Sequence, residues 1–418
     1  MKLRRSVWLA GAFLGLALLA AAGAWLRDEA PTAEVRNWLT QVQGGARQSA
    51  AYLYLAGLDA PAEQAPQQLG ALRLAAYQDW LTQRAADQPP PATRDVLPLP
   101  EGDLLCPIET PGCFARVLAA AGQLQAFDDA HGLLRQRYEQ FLALDDYRTL
   151  HGADISAPTL PLAYLLKGQQ LFDLHVLHVA QQGDGQAAGQ LLATELRGLR
   201  QHLRRADNLI VKISLARLVE RNLQWQALLY RHGLLPAVGE SAPVELAERS
   251  LLQPLQHEFA GVAQMFAGLR DDPQADWGER LQLRLWFKPQ MTINAALPPY
   301  LRVAELSQLE PDAFVEALPH AAPMKPSIGW RNRVGDILLS IGGPDLRLYA
   351  ARLQDLEARR RLLLLVGALP PGPLEAAKLE ALAGLDNPYF PGQPAVLDEQ
   401  GRLCFVGPRL QEDPCLLL

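Results

Sequence analysis

Apolar residues recur at three- and four-residue intervals over the middle of the chain. In "LLATELRGLRQHL", Leu192, Leu196, Leu199 and Leu203 form one stripe, with Arg197, Arg200 and Arg204 largely off it. Such a stripe predicts a helix with one buried face. The pattern continues through Leu209, Ile210, Ile213, Leu218 and Leu223. It stops at Gly233, just after Arg231 and His232. Basic residues followed by glycine are a normal helix ending. The whole of 114–235 therefore reads as helical.

Elsewhere the pattern is shorter. Tyr52, Leu55 and Leu58 lie at helical spacing in a segment that stops near Gly57. "QPPPATRDVLPLPEGD" is too rich in proline for helix and predicts an extended linker. "PVELAERSLLQPLQHEFAGVAQMFAGL" predicts one or two helices with a break at Pro254. "RLQLRLWF", from Arg280 to Phe287, alternates polar and apolar residues and fits a strand or the start of a helix. "PQMTINAALPPYL" then predicts a break. Helix returns in "GDILLSI" and in "DLRLYAARLQDLEARRRLLLLVGAL", where Asp345 is placed to cap. The tail from Asn387 has several turns, and a strand over Arg402 to Val406 predicts a small hairpin.

The first residues differ from the rest. Lys2, Arg4 and Arg5 precede an uncharged run from Val7 to Leu26. About 20 apolar residues span a bilayer core, and cationic residues stay on the cytoplasmic side. Trp8 and Trp25 stand near the two ends, and Gly11 and Gly15 are spaced for close helix approach. The reading is a single-pass anchor in a bacterial inner membrane, with the body in the periplasm. A signal peptide cut near Ala20 to Ala24 is the rival. The organisation expected is mainly α: an anchor over 1–27, a helical segment over 28–87, a linker and disulfide loop over 88–113, a helical body over 114–272, a mixed but mostly helical region over 273–386 and a turn-rich, partly β tail over 387–418.

Composition supports a sizeable core, since 49% of the 418 residues are apolar. The net charge of −6 is spread without a basic face, which argues against nucleic acid as a partner. Only six of the 39 basic residues are Lys, leaving 33 Arg, a bias typical of a GC-rich bacterial genome. The four cysteines fall into two local pairs, Cys106 with Cys113 in "CPIETPGC" and Cys404 with Cys415. In an oxidising space the spacing favours two short disulfide loops. A redox pair or a metal site is the alternative, although no histidine lies between either pair.

"FKPQMTINA", "NRVGDILLSIGGPDLRLYAARLQDLEARRRLLLL" and "DNPYFPGQPAVLDEQGRLCFVGP" resemble segments of a group of single-pass proteobacterial envelope proteins. That group combines an N-terminal anchor, a mostly helical body and a turn-rich tail, and it has no assigned activity. The resemblance implies an envelope location and offers no catalytic residues. Met291 and Asp336 stand where the group usually has Asn and Lys.

Catalytic motifs are absent. "QHEFAG" places His257 and Glu258 side by side, but Gly261 stands where HExxH needs its second histidine. No GxSxG elbow or phosphate loop occurs. "FDLHVLHVA" offers Asp173, His175 and His178, with the histidines three apart on one helix face and His131 or His151 as possible further ligands. Two amphipathic side chains at the edge of a core are the plainer reading. Asp145-Asp146 and Asp271-Asp272 are paired acids that read as solvated, and Tyr52, Tyr54, Tyr77 and Trp80 read as core. No cofactor is expected. The expected function is binding or scaffolding for an envelope protein partner; a hydrolase built on Asp173, His175 and His178 and an immunity-type inhibitor of a toxin are the alternatives.

Overall fold

The computed structural model describes residues 13, 15, 16, 20, 23–43, 48–83, 93, 95–154, 156–239, 242–271, 276–322, 327–341, 343–372 and 385–418. The N-terminal part includes three helices, α1 (Ala33–Gln43), α2 (Ala50–Ala56) and α3 (Pro66–Gln83). Ser49 caps α2 through its hydroxyl, and Gly57 ends it where the sequence predicts. Helices α2 and α3 pack closely because Gly70 carries no side chain. A Cβ there would come within 1.9 Å of the Leu53 carbonyl oxygen.

The centre is an array of long helices: α5 (Ala121–Ala143), α6 (Leu162–Gln181), α7 (Gly185–Arg205) and α8 (Leu209–Arg231), entered through the short α4 (Cys113–Ala119). Each of these long helices packs on the next. Leu192, Leu196, Leu199 and Leu203 are buried as their spacing predicts. Arg200 is not off this face. It is buried and grips Glu248 in a two-pronged ion pair, with Nε to Oε1 and Nη2 to Oε2 both 2.7 Å. Helix α8 is covered nearly all round, which fits a central helix.

The second half adds α9 (Leu246–Arg249), α10 (Leu252–Gly268), α11 (Trp277–Trp286), α12 (Pro289–Leu306), α13 (Pro311–Ala317), α14 (Arg333–Ile341) and α15 (Leu346–Ala368). The break expected at Pro254 falls at Ser250 and Leu251 instead, and Pro254 sits in the first turn of α10, where its missing N–H costs little. Helix α12 runs through Pro298 and Pro299, against the predicted break. Burial of Ile293, Leu297, Val303 and Leu306 on one face outweighs the backbone bonds that the two prolines cannot make. "RLQLRLWF" is helix, not strand. Asp345 caps α15, its carboxylate accepting from Arg347 N.

The tail forms a three-stranded antiparallel sheet in the order β1 (Val396–Leu397), β2 (Leu403–Cys404), β3 (Cys415–Leu416). Cys404 lies opposite Cys415 in the register, and the two are joined; Cys106 and Cys113 form the second disulfide. The sheet docks on the body at two points. Asp355 of α15 accepts from Tyr389 Oη at 2.5 Å and from Gln411 Nε2. Gln224 of α8 donates to Leu417 O at 2.9 Å and accepts from Leu417 N at 2.8 Å.

Among the described residues no helix is long and apolar enough to cross a membrane. This overturns the single-pass inner-membrane placement with a periplasmic body. Most of the run from Val7 to Leu26 lies outside the described residues; within it residues 23–26 are helical. Of the linker, residues 95–101 form neither helix nor strand and are tied to the body, with Leu97 N bonded to Asp59 O and Leu97 O accepting from Tyr164.

Candidate functional site

The trio picked out in the sequence does not converge. Asp173 is buried inside the helical array, while His175 turns to Asp128, Nδ1 to Oδ2 3.1 Å. His178 sits half-buried in the last turn of α6. Among the described residues only Asp398, Cys404 and Cys415 place three potential ligand atoms within 4.8 Å of one another, and both cysteines are spent in a disulfide.

Asp173 belongs instead to a buried polar cluster. Its neighbour Glu195 accepts from Tyr138 Oη at 2.5 Å, Asn222 Nδ2 at 2.7 Å and Gln169 Nε2 at 3.0 Å. Burial raises the pKa of Glu195 against the pull of those donors. Among the described residues Asp173 has no hydrogen bond to either carboxyl oxygen; Arg221 Nε stands 3.5 Å from Oδ2. Trp225 Nε1 lies close enough to oppose the shift but outside bonding geometry. Burial, and then the charge of Glu195, hold Asp173 far above the ordinary carboxyl range. Both carboxylates are almost wholly buried. Asp146 also has a structural job: its carboxylate accepts from Ala50 N and Ala51 N at the start of α2. Asp272 lies outside the described residues. Tyr52, Tyr54 and Tyr77 are core, with Trp80 stacked on Tyr77.

The surface that stands out is built by α11 and α14. Both helices are amphipathic, yet α11 has no buried residue and α14 buries only Gly335 and Asp336. Asp276 and Glu279 cap the start of α11 reciprocally. Trp277, Arg280, Leu281 and Arg284 then follow at i, i+3, i+4 and i+7, so they form one stripe, and all are exposed. Trp277 is 80% exposed. Trp330, just before α14, is 75% exposed, with the Arg333 guanidinium 5.8 Å from its ring centre. Ile341, at the end of α14, is equally bare.

A rigid base supports this face. Lys288 N donates to Asn332 Oδ1 at 2.8 Å, and Asn332 Nδ2 donates to Thr292 Oγ1 at 2.9 Å. Gly335 is required there, since a Cβ would meet Thr292 Oγ1 at 2.0 Å. The motifs "FKPQMTINA" and "NRVGD", distant in sequence, thus lock together. Asp28 straps the start of the chain onto the same base by accepting from Gln290 N at 2.9 Å and Met291 N at 3.1 Å. Arg331 Nη2 donates to Arg27 O, and Trp25 Nε1 to Leu285 O. Position 291 contributes its backbone N–H to this strap, a bond that methionine makes as well as asparagine would.

A second feature is a cleft of about 280 Å3 lined by residues of 151–154 and 157–160, the start of α6, the start of α8 and the middle of α10. His151 and His257 meet in it with ring centres 5.8 Å apart, and Asp154 and Glu258 line it. Burial lowers the pKa of both histidines and raises that of Glu258, although Glu258 keeps much of its surface in solvent. Sequence reading passed over His257 and Glu258 because they complete no motif; 106 residues separate His151 from His257, and only the fold joins them. No family model, no curated protein and no solved structure matches this chain.

Proposed function

We propose that this protein works by binding another protein through the α11–α14 face, as a scaffold or accessory factor and not as a catalyst. One observation carries the reading: an amphipathic helix that buries none of its own residues presents Trp277, Arg280, Leu281 and Arg284 in a single exposed stripe. Tryptophan and arginine dominate the energetic centres of protein interfaces, and clustered exposed apolar residues mark interaction surfaces. The arginines define the partner's chemistry. It offers an apolar groove for Trp277 rimmed by carboxylates. The buried Lys288–Asn332–Thr292 base holds the face in place before the partner arrives, which lowers the ordering cost of association.

The test is a photo-crosslinking amino acid at position 277, with position 246 on α9 as the control. A single identified partner should be captured from 277 and not from 246. Capture should disappear when Arg280 and Arg284 are changed to Glu, while a Lys pair keeps most of it. Equal capture from both positions, or capture indifferent to the charge reversal, refutes the reading.

A further inference from the structure

Cys404 and Cys415 are joined in the folded chain, but every copy begins with both as thiols, and the fold decides what those thiols meet. They lie directly opposite each other across β2 and β3. Opposite side chains of an antiparallel pair have Cβ atoms about 5 Å apart, so without the S–S bond the two sulfurs still face each other. The sheet does not rely on that bond for its place. Leu403, Phe405 and Leu416 are buried, and the contacts of Asp355 with Tyr389 and Gln411 and of Gln224 with Leu417 hold the tail to α15 and α8.

Asp398 completes the group. Its Oδ1 accepts from Gln400 N at 2.9 Å and Arg402 N at 2.8 Å, which fixes the carboxylate in the turn between β1 and β2. Its Oδ2 is turned to Cys404 Sγ, 3.8 Å away, and accepts from Arg402 Nε at 2.6 Å. A carboxylate oxygen carries two lone pairs, so the ion pair leaves one for another partner. Among the described residues the three ligand atoms of Asp398, Cys404 and Cys415 alone lie within 4.8 Å of one another, and Cys106 and Cys113 gather no third ligand. Asp398 and Cys415 are half-buried, so solvent reaches the group from outside. Zinc sits about 2.3 Å from a thiolate sulfur and about 2.0–2.2 Å from a carboxylate oxygen, in a tetrahedron. Those lengths place sulfur and oxygen ~3.5 Å apart and the two sulfurs ~3.8 Å apart. The first spacing is met to within a few tenths of an ångström. The second needs small turns of two cysteine side chains on a fixed sheet. Calcium and magnesium take all-oxygen shells, whereas thiolates select zinc.

We propose that the reduced tail binds a zinc ion through Cys404 Sγ, Cys415 Sγ and Asp398 Oδ2, with water as the fourth ligand, so that the tail closes either on a metal or on a disulfide. In binding, each thiol gives its proton to solvent: Zn2+ and two thiols become a zinc dithiolate and two protons. In closing the disulfide, the two sulfurs lose two electrons to a disulfide-bearing oxidant, which is reduced to two thiols, and the zinc leaves. The site is separate from the α11–α14 face and does not depend on it.

The experiment uses the full chain carrying Cys106→Ser and Cys113→Ser, so that only the tail thiols remain. It is reduced with a phosphine, freed of reductant without air, and titrated with Co2+ and then Zn2+. One equivalent of cobalt should give the intense absorption of tetrahedral thiolate ligation. One equivalent of zinc should abolish that absorption. Asp398→Asn should weaken zinc by about tenfold or more, and the oxidised chain should bind none. As a check on folding, the reduced chain with its other cysteines intact should keep the tight equivalent in Cys106→Ser and lose it in Cys404→Ser. Reduced protein without a tight equivalent of zinc, zinc held equally well by Asp398→Asn, or zinc held equally well by the oxidised chain overturns the proposal.

Discussion

Lys212 offers the sharpest energetic test of the fold. It is 1% exposed, and its Nζ donates to Leu203 O at 2.6 Å and to Ala247 O at 2.9 Å. Neither acceptor is charged. Burial therefore brings its pKa down to about 7 from the usual 10.5, with the Glu248 charge opposing and Arg148 adding to the shift. Between those two values the unfolded chain carries a proton that the native chain has released. Stability must then rise with pH across this window, and the rise ends near 10.5. From pH 7 to pH 9 it amounts to about 2 kcal/mol, with about 1.4 kcal/mol per pH unit once the native amine is neutral. Lys212→Met removes this proton linkage. It also deprives two carbonyls of a donor, but that change does not depend on pH. The assay is urea unfolding of both proteins at pH 7, 8 and 9 without reductant. Buried carboxyls such as Asp173 and Glu195 act in the opposite direction, but they are present in both proteins and cancel in the difference. The wild type should gain about 2 kcal/mol on the variant between pH 7 and 9. Parallel stability curves would refute the reasoning.

Three further outcomes are expected. Cys404→Ser or Cys106→Ser should each lower stability by about 2–3 kcal/mol in non-reducing melts, while crosslinking from position 277 persists. Gly70→Ala should cost more than ~2 kcal/mol, because its Cβ meets the Leu53 carbonyl, whereas Gly132→Ala on α5, with open space around it, should stabilise by about 0.5–1 kcal/mol; the same sign for both would contradict the packing described. Burial lifts Asp355 to about 6, so the native state holds a proton there that the unfolded chain has lost; stability should fall as pH rises from about 4 to 6, and Asp355→Asn should flatten that part of the profile in thermal melts.

Local features were readable where a local cause decides them. The Leu192 to Leu203 stripe, the stop at Gly57, the Asp345 cap and the pairing of near cysteines all rest on neighbours within a few turns. The disagreement between Asp173 and His175 could also be read: two residues are 200° apart on a helix, so their side chains diverge. Features decided by distant partners were not readable. Arg200 looked like a surface residue because Glu248 lies 48 positions on. Pro298 and Pro299 looked like a break because the core that holds α12 helical comes from other segments. The cleft has no sequence signature at all, and the α11 face was hidden because Trp277 precedes the alternating stretch in which a strand was considered.

The clasp between Gln224 and Leu417 bears on how the protein behaves when concentrated. Hydrogen bonds alternate along an antiparallel strand. Phe405 N reaches Pro414 O, so the peptide groups of Leu417 point away from β2, toward what would be an open sheet edge. An open edge is a template on which another chain can add a strand and begin to aggregate. Here one side-chain amide of α8 occupies both the donor and the acceptor, taking the place of that next strand. Gln224→Leu keeps the bulk but uncovers the edge. Its product should remain folded and yet self-associate on storage, visible as a growing light-scattering signal that the parent chain does not show.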